Sequence, residues 1–451
     1  MKTVDVAVVG AGSAGLAALS EARKTTQNVV LIHGGPDGTT CARVGCMPSK
    51  ALLQIADDFH RRRIFSREGI AGSRGLRLDA REVMRRVRSL RDGFMAAPLK
   101  AVAALGGRGV EGYARFIEPT VLRVGALTIR AKSVVIAVGS RPVVPTSWET
   151  FRPRLLTTDD LFELETLPAS LAVFGLGGVG VELGQALTRL GVRVVGIDRS
   201  EFLGFLSDPA VNRSMVELLE TELPLWRGRD GAVEARDGRL RARAGGRSAL
   251  FENILVCLGR RPNVEGLGLE NLGVELSANG LPAFDPETLQ IGKLPVFIAG
   301  DVSADRPVLH EAVDEGRIAG FNAAAARPKR FKRRVKLGIL FCDPNIAVVG
   351  RSWSELKGRK IRVGEFDFKR QGRAAIQSRA AGLLRIYGEP RGGRLLGAEL
   401  AAPSGEHLAQ NLALAIQRGM TVFEALEAPS YHPTLEEGLR DALCDLARKT
   451  K

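Results

Sequence analysis

The chain has 451 residues, enough for about three domains and a large core. Its composition is 45% hydrophobic and 25% charged with 52 glycines, and its apolar runs, such as NVVLI and NILVCLG, are strand length and far short of a bilayer span. The formal net charge of +15 gathers in FHRRRIF, DAREVMRRVRSLRDG and RPKRFKRR without interleaved stacking aromatics, which favours a solvated basic face over a nucleic-acid surface.

In chain order, the first predicted element is a buried strand, VDVAVV, starting within a few residues of Met1. No apolar leader or Arg/Ser-rich segment precedes it, so a cytoplasmic location is expected. The strand runs into Gly10-x-Gly12-x-x-Gly15 and an alanine-rich helix. Such glycines permit a tight turn and a close backbone approach to a pyrophosphate at a helix N-terminus. A second strand, VVLIH, ends at His33, 18 residues beyond Gly15, where this unit normally carries an acid for the ribose hydroxyls. A neutral imidazole accepts a hydrogen bond less strongly than a carboxylate; the alternative is that the strand simply ends there with His33 facing water.

TTCARVGCMPSK follows, holding two of the five cysteines, Cys41 and Cys46. An odd total and the expected compartment argue against a secreted disulfide framework. Residues five apart in an undistorted helix have Cα atoms roughly 8–9 Å apart, too far for a disulfide. A bridge would require Val44-Gly45 to break the turn. The other readings are half a zinc site, for which no second Cys or His pair has matching spacing, so no metal is expected, or two buried thiols. The basic segment LDAREVMRRVRSLRDG has no assignment from sequence. SVVIAVGSRPVVP (133–145) is a strand with a Gly139-Ser-Arg-Pro turn, and the proline-rich RPVVPTSWETFRPRLL forms a seam.

SLAVFGLGGVGVELGQALTRL then repeats the opening unit with Gly175, Gly177 and Gly180, and its second strand, VVGID, ends at Asp198, again 18 residues on. Asp198 should repel a 2′-phosphate and favour NAD; Arg199 beside it offers a counter-charge for NADP. Two different dinucleotides in one chain imply an electron relay. NILVCLGRRPN (253–263) repeats the strand–glycine–Arg–Pro turn at Gly259. KLPVFIAGDV (293–302) ends in Gly300-Asp301, where the aspartate can bond a ribityl chain, so the first unit is read as the FAD site. RPVLHEAVDEGRIAG is a helix, AAAARPKRFKRR a basic linker, and YHPTLEE (431–437) opens the last helix. There Thr434 and Glu437 have capping-box spacing.

Taken together, both glycine fingerprints, TTCARVGCMPSK, IAVGSRP, VCLGRRPN, FIAGDV, FCDPNIAVVG and YHPTLEE resemble, nearly end to end, the flavin-dependent pyridine nucleotide–disulfide oxidoreductases, most closely their dihydrolipoamide dehydrogenase branch. The resemblance implies an α/β fold with two Rossmann-like dinucleotide-binding domains, for FAD (1–147 and 269–330) and NAD (148–268), plus an α+β C-terminal dimerisation domain (331–451). It implies a redox-active Cys41–Cys46 disulfide, Cys41 meeting substrate and Cys46 the flavin. Lys50 matches a lysine near flavin N5 and Glu182 its ion-pair partner; on residues alone they read as a surface lysine and a first-turn helix acid. His432 matches a base that crosses from the other subunit of a homodimer, with Glu437 orienting it unless it only caps. The helix RPVLHEAVDEGRIAG would face flavin N1. Cys257, Cys342 and Cys444 read as structural. The implied reaction is oxidation of a dihydrolipoyl dithiol, on a small molecule or a lipoyl domain, by NAD. The alternatives are an NAD(P)H-dependent reductase of another small disulfide and a basic flavoprotein with a binding or regulatory role.

Overall fold

The computed structural model describes residues 1–451. It forms two compact units, one of Met1–Pro48, Arg88–Val143 and Arg260–Arg333, the other of Ser49–Val87, Val144–Gly259 and Arg334–Lys451.

The first unit is built on a seven-stranded sheet. Its order is Gly109–Glu111, Val29–His33, Lys2–Val9, Leu127–Ile136, Val121–Val124, Ala114–Glu118, the first four mutually parallel. The long strand Leu127–Ile136 has two neighbours on its far side: Val121–Val124 antiparallel along its start and Val296–Ile298 parallel along its end. Lys2–Val9 shows why the sheet is covered on both faces. Val6 and Val8 enter one apolar cluster, Ala7 and Val9 another, the period-2 alternation of a strand with no solvent side. Against one face, helices Ser13–Ala22 and Leu309–Ala324 pack through small residues: a Cβ on Gly316 would lie 2.2 Å from the Ala14 carbonyl oxygen, and one on Gly320 2.2 Å from that of Ala18.

The second unit repeats the theme in a five-stranded parallel sheet ordered Leu225–Arg227, Arg193–Asp198, Ser170–Phe174, Asn253–Val256, Leu155–Leu156. Residues 334–451 add a five-stranded antiparallel sheet, Leu337–Leu340, Asn345–Gly350, Leu395–Ala402, Leu383–Gly388, Arg362–Asp367, covered by helices Gly405–Arg418 and Glu436–Lys449. Two buried acids tie the 207–208 loop to this sheet. Asp208 accepts from Arg385 (2.7 and 2.8 Å) and Tyr387 (2.8 Å) while capping helix Pro209–Leu219. Glu399 accepts from the Ser207, Asp208 and Trp353 N–H groups at 2.7–2.8 Å. The basic segment that sequence left unassigned lies on helix Ala80–Ala103: Val83, Met84 and Val87 are buried and Arg81, Arg85 and Arg86 exposed. No helix is long and apolar enough to cross a membrane.

Candidate active site

The two glycine fingerprints build the same turn twice. Gly10 and Gly175 have φ of +114° and +94°, a region that favours glycine. A Cβ on Gly15 would sit 1.8 Å from the Gly10 carbonyl oxygen, and one on Gly180 1.8 Å from that of Gly175, so only glycine lets each helix return over its turn. At Gly12 and Gly177 a Cβ would meet nothing within 4 Å. Bare backbone there leaves room for a ligand rather than relieving a protein contact. Both residues are N-caps without a side-chain hydrogen bond, so the first N–H groups of helices Ser13–Ala22 and Gly178–Arg189 remain available to an anion.

Beyond the turns, the strand ends differ. Asp198 closes Arg193–Asp198, and its carboxylate accepts from the Leu176 N–H inside the Gly175–Gly177 turn and from the Ser200 N–H (2.8 Å). It braces the turn and keeps lone pairs for ribose hydroxyls; Arg199 beside it is exposed. His33 closes Val29–His33 half-buried. Asp301 follows Val296–Ile298 and accepts from the Ser140 hydroxyl at 2.9 Å. Arg260 donates to the same Ser140 through Nε at 2.8 Å and to its carbonyl at 2.6 Å. Gly139 and Gly259, both at positive φ, precede Ser140 and Arg260 where the short strands Ser140–Pro142 and Arg260–Pro262 pair. Sequence reading stopped at the glycines. The repeated glycine–Arg–Pro turn was legible, but the residue between glycine and arginine in each copy had no assignment, and those residues are these two partners. Helix Leu309–Ala324 begins at Val308 with no side-chain cap.

The cysteine segment is a broken helix. Cys41 lies on Thr40–Arg43, capped by the Thr39 hydroxyl accepting from Ala42 N–H at 3.2 Å, and Cys46 is the first residue of Cys46–Arg61. Between them Val44 leaves the helical region at φ −137°, ψ 8°. Gly45 serves there by its lack of bulk rather than by a left-handed backbone. A Cβ on it would lie 3.0 Å from the Thr40 carbonyl oxygen and 3.2 Å from Cys41 Cα. One turn further, Lys50 donates to both Glu182 oxygens (2.8 and 3.0 Å), and its Nζ lies 4.9 Å from the centre of the Phe341 ring. Glu182 also accepts from the Phe341 N–H at 2.7 Å. The acid therefore does more than favour a helix dipole: it fixes the lysine. Two turns along both helices the polarity reverses, Asp57 pairing with Arg189. Arg189 also holds Glu222 at 2.7 Å and Asp343 at 3.2 Å. Burial and the Arg189 guanidinium push the neighbouring His60 down to about 4. None of these four partners is adjacent in sequence, and sequence reading missed them.

His432 is 80% exposed and its Nδ1 lies 2.8 Å from Glu437 Oε1. The other oxygen of Glu437 accepts from the Thr434 N–H at 3.1 Å. These bonds, His432 first, hold the Glu437 carboxyl below the usual glutamate range. Only half of the capping box forms: the Thr434 hydroxyl accepts no N–H from the helix start and donates to the Tyr431 carbonyl at 3.0 Å. Glu437 thus caps and orients at once, and with Nδ1–H directed to it a neutral His432 presents Nε2 as an acceptor. Of the remaining cysteines, Cys342 is 1% exposed with its thiol 3.2 Å from the Pro344 carbonyl, and burial pushes it well above the usual thiol range. Cys257 follows strand Asn253–Val256, and burial lifts its thiol to about 12. Cys444 lies on Glu436–Lys449.

This architecture matches known proteins over nearly its whole length. Residues 4–316 match the pyridine nucleotide-disulphide oxidoreductase family, and residues 337–443 match that family's dimerisation domain. Dihydrolipoyl dehydrogenase of Thermus scotoductus is 32% identical, covering 98% of this chain and 97% of the relative. Human mitochondrial dihydrolipoyl dehydrogenase is 30% identical over 97% of this chain and 89% of its own. Among solved structures, LpdA of Mycobacterium tuberculosis superimposes with a TM-score of 0.85 at 23% identity, covering 98% of this chain and 99% of that one. The HOCl-induced flavoprotein disulfide reductase RclA of Escherichia coli superimposes at 0.83 and 20%, covering 99% and 100%. The twin glycine turns, the broken cysteine helix and these full-length matches agree: the chain belongs to the pyridine nucleotide–disulphide oxidoreductase family.

Proposed function

We propose that this protein oxidises a dihydrolipoyl dithiol with NAD, through a redox pair formed by Cys41 and Cys46 and a bound FAD. The observation that carries the reading is the helix break at Val44-Gly45, which frees the two cysteines from helical spacing. The substrate class is taken from relatives named dihydrolipoyl dehydrogenase at 30% and 32% identity. The first unit fits FAD by its bare Gly12, its uncapped helix N-terminus and its Asp301 held by Ser140. Gly10, Gly12, Gly15, Gly139 and Asp301 would hold the group, with Lys50, fixed by Glu182, near its ring. When bound it supplies two-electron transfer between thiols and nicotinamide. Gly175, Gly177, Gly180, Gly259 and Asp198 would take NAD.

The thiol chemistry balances on this chain's own residues. A substrate thiolate attacks Cys41 Sγ, the Cys41–Cys46 bond breaks, and Cys46 leaves as a thiolate. The second substrate thiol then displaces Cys41, forming the substrate disulfide and leaving the pair two electrons richer. Thiolate is the attacking form: His432 Nε2 accepts the proton of the first substrate thiol, and the proton of the second passes to Cys41 as it leaves, so the pair ends as the Cys46 thiolate and the Cys41 thiol. The dimerisation domain supports a homodimer in which His432 of the partner subunit serves each cysteine pair. A reducing compartment, the cytosol, suits a pair that must cycle through its dithiol. Steady-state rates on dihydrolipoamide with NAD and NADP, beside NADH-driven reduction of glutathione disulfide, test the reading. The dihydrolipoamide–NAD rate should be the highest. A faster glutathione rate would make the protein a reductase of another small disulfide.

A further inference from the structure

The departure at His33 leaves the first dinucleotide turn without its usual acid. The fold places another one beside it. Gly10 N–H donates to the Ile32 carbonyl at 2.8 Å, so the glycine turn leaves its strand next to the end of Val29–His33. That strand pairs in parallel with Gly109–Glu111, and His33 is the register partner of Glu111. Register partners of parallel strands project from the same face, about 4.8 Å apart. The imidazole leans back along the neighbouring strand, its Nε2 being 3.9 Å from where a Cβ on Gly109 would sit, two residues before Glu111. Beyond the strand ends the chain closes down tightly. A Cβ on Gly34 would lie 2.8 Å from the Gly112 carbonyl oxygen and 3.2 Å from the Tyr113 ring. Glu111 itself is exposed, and no cation in the chain engages it.

We propose that Glu111, on the third strand, supplies the carboxylate that accepts the adenosine ribose hydroxyls of the dinucleotide in the first unit, replacing the acid that His33 lacks. A carboxylate can take both hydroxyls, whereas a neutral imidazole has one acceptor nitrogen. The inference rests on the reading of that turn as the FAD site. It makes Glu111 a binding residue and His33 a bystander whose ring fills the space over Gly109.

Release of FAD from the loaded full-length protein, followed as recovery of flavin fluorescence on dilution, tests it. Glu111→Gln should release FAD faster by on the order of 10–100-fold, the range for a charged hydrogen-bond acceptor. Glu118→Gln, a change at another exposed acid of the same sheet, should leave release unchanged. Adding His33→Glu to Glu111→Gln should bring release back toward wild type, which a general loosening of the strand would not allow. Release within two-fold of wild type in Glu111→Gln, or no recovery in the double variant, overturns the assignment of Glu111 while leaving the FAD site in place. Wild-type protein that takes up no FAD overturns that site and this inference with it.

Discussion

At residue scale, Glu437 divides its two oxygens between a histidine and a helix N-terminus. Its bond to His432 needs the ionised carboxylate. Because the carboxyl is held below its ordinary value, that bond persists above the glutamate range and is lost only as pH falls through the lowered pKa. His432→Gln should therefore slow flavin reduction by dihydrolipoamide by on the order of 10²–10⁴-fold, the worth of a positioned base. Reduction by NADH needs no thiol base and should stay within a few-fold, so stopped-flow absorbance separates the two half-reactions. Equal slowing of both would indicate a folding or dimerisation defect, and no slowing of either would remove His432 from this role. Asp198, proposed to accept the NAD ribose hydroxyls, also braces Leu176 N–H. Asp198→Ala should lower the ratio of kcat/KM for NAD over NADP by about tenfold, one charge-assisted bond's worth. An unchanged ratio would mean that Asp198 serves the turn alone. These roles were uneven in the sequence. The T-x-x-E spacing announced a capping box, yet spacing cannot say whether the Thr434 hydroxyl will accept from the helix start, and here it only donates, to Tyr431.

Elements show which features a sequence can state and which it cannot. Much of each glycine turn is local, the positive φ of the first glycine and the contact of the third with it, so the pattern Gly10–Gly15, repeated at Gly175–Gly180, could be read directly, although Gly10 and Gly175 are also crowded by the distant Ala137 and Cys257 carbonyls. The structure adds a difference inside the pattern. Gly180 is required by contact with Gly175, whereas Gly177 is free of any. Gly180→Ala should destabilise the unit by roughly 1–3 kcal/mol through overpacking. Gly177→Ala should cost less than about 1 kcal/mol, as an N-cap change, yet weaken NADH binding. Thermal unfolding together with an NADH titration distinguishes them; similar unfolding shifts for both would refute the division. By contrast the Lys50–Glu182 pair spans 132 positions, and the Ser140–Asp301 bond 161. No local pattern encodes such contacts, and Lys50 and Glu182 were legible only through resemblance. The Gly45 position was legible as a break, but its cause is crowding against Thr40 and Cys41 rather than a positive φ.

For the whole molecule, the dimerisation domain and the exposure of His432 and Tyr431, both 80%, bear on assembly. A histidine so open in one chain, if it serves as the proposed base, would gain a desolvated setting against a second copy. If each site draws Cys41 from one subunit and His432 from the other, Cys41→Ser and His432→Gln homodimers are both impaired. Subunit exchange between them gives half hybrids with one intact site of two, restoring about a quarter of wild-type activity, as two-fold symmetry requires. No recovery after exchange demonstrated by mass, or full activity in a sedimenting monomer, would rule out the shared site.

The reversed ion pairs between helices Cys46–Arg61 and Gly178–Arg189 act as a two-notch key. Lys50 and Asp57 stand seven residues apart on one helix, Glu182 and Arg189 seven apart on the other, so the helices run parallel and the charges read plus–minus against minus–plus. Slide either helix by two turns and the surviving contact is Lys50 with Arg189, or Asp57 with Glu182. Each is a like-charge encounter in a partly dry setting, costing several kcal/mol. Two pairs of the same polarity would have tolerated that slip. The alternation therefore leaves a single seating for Lys50 and Asp57 against Glu182 and Arg189.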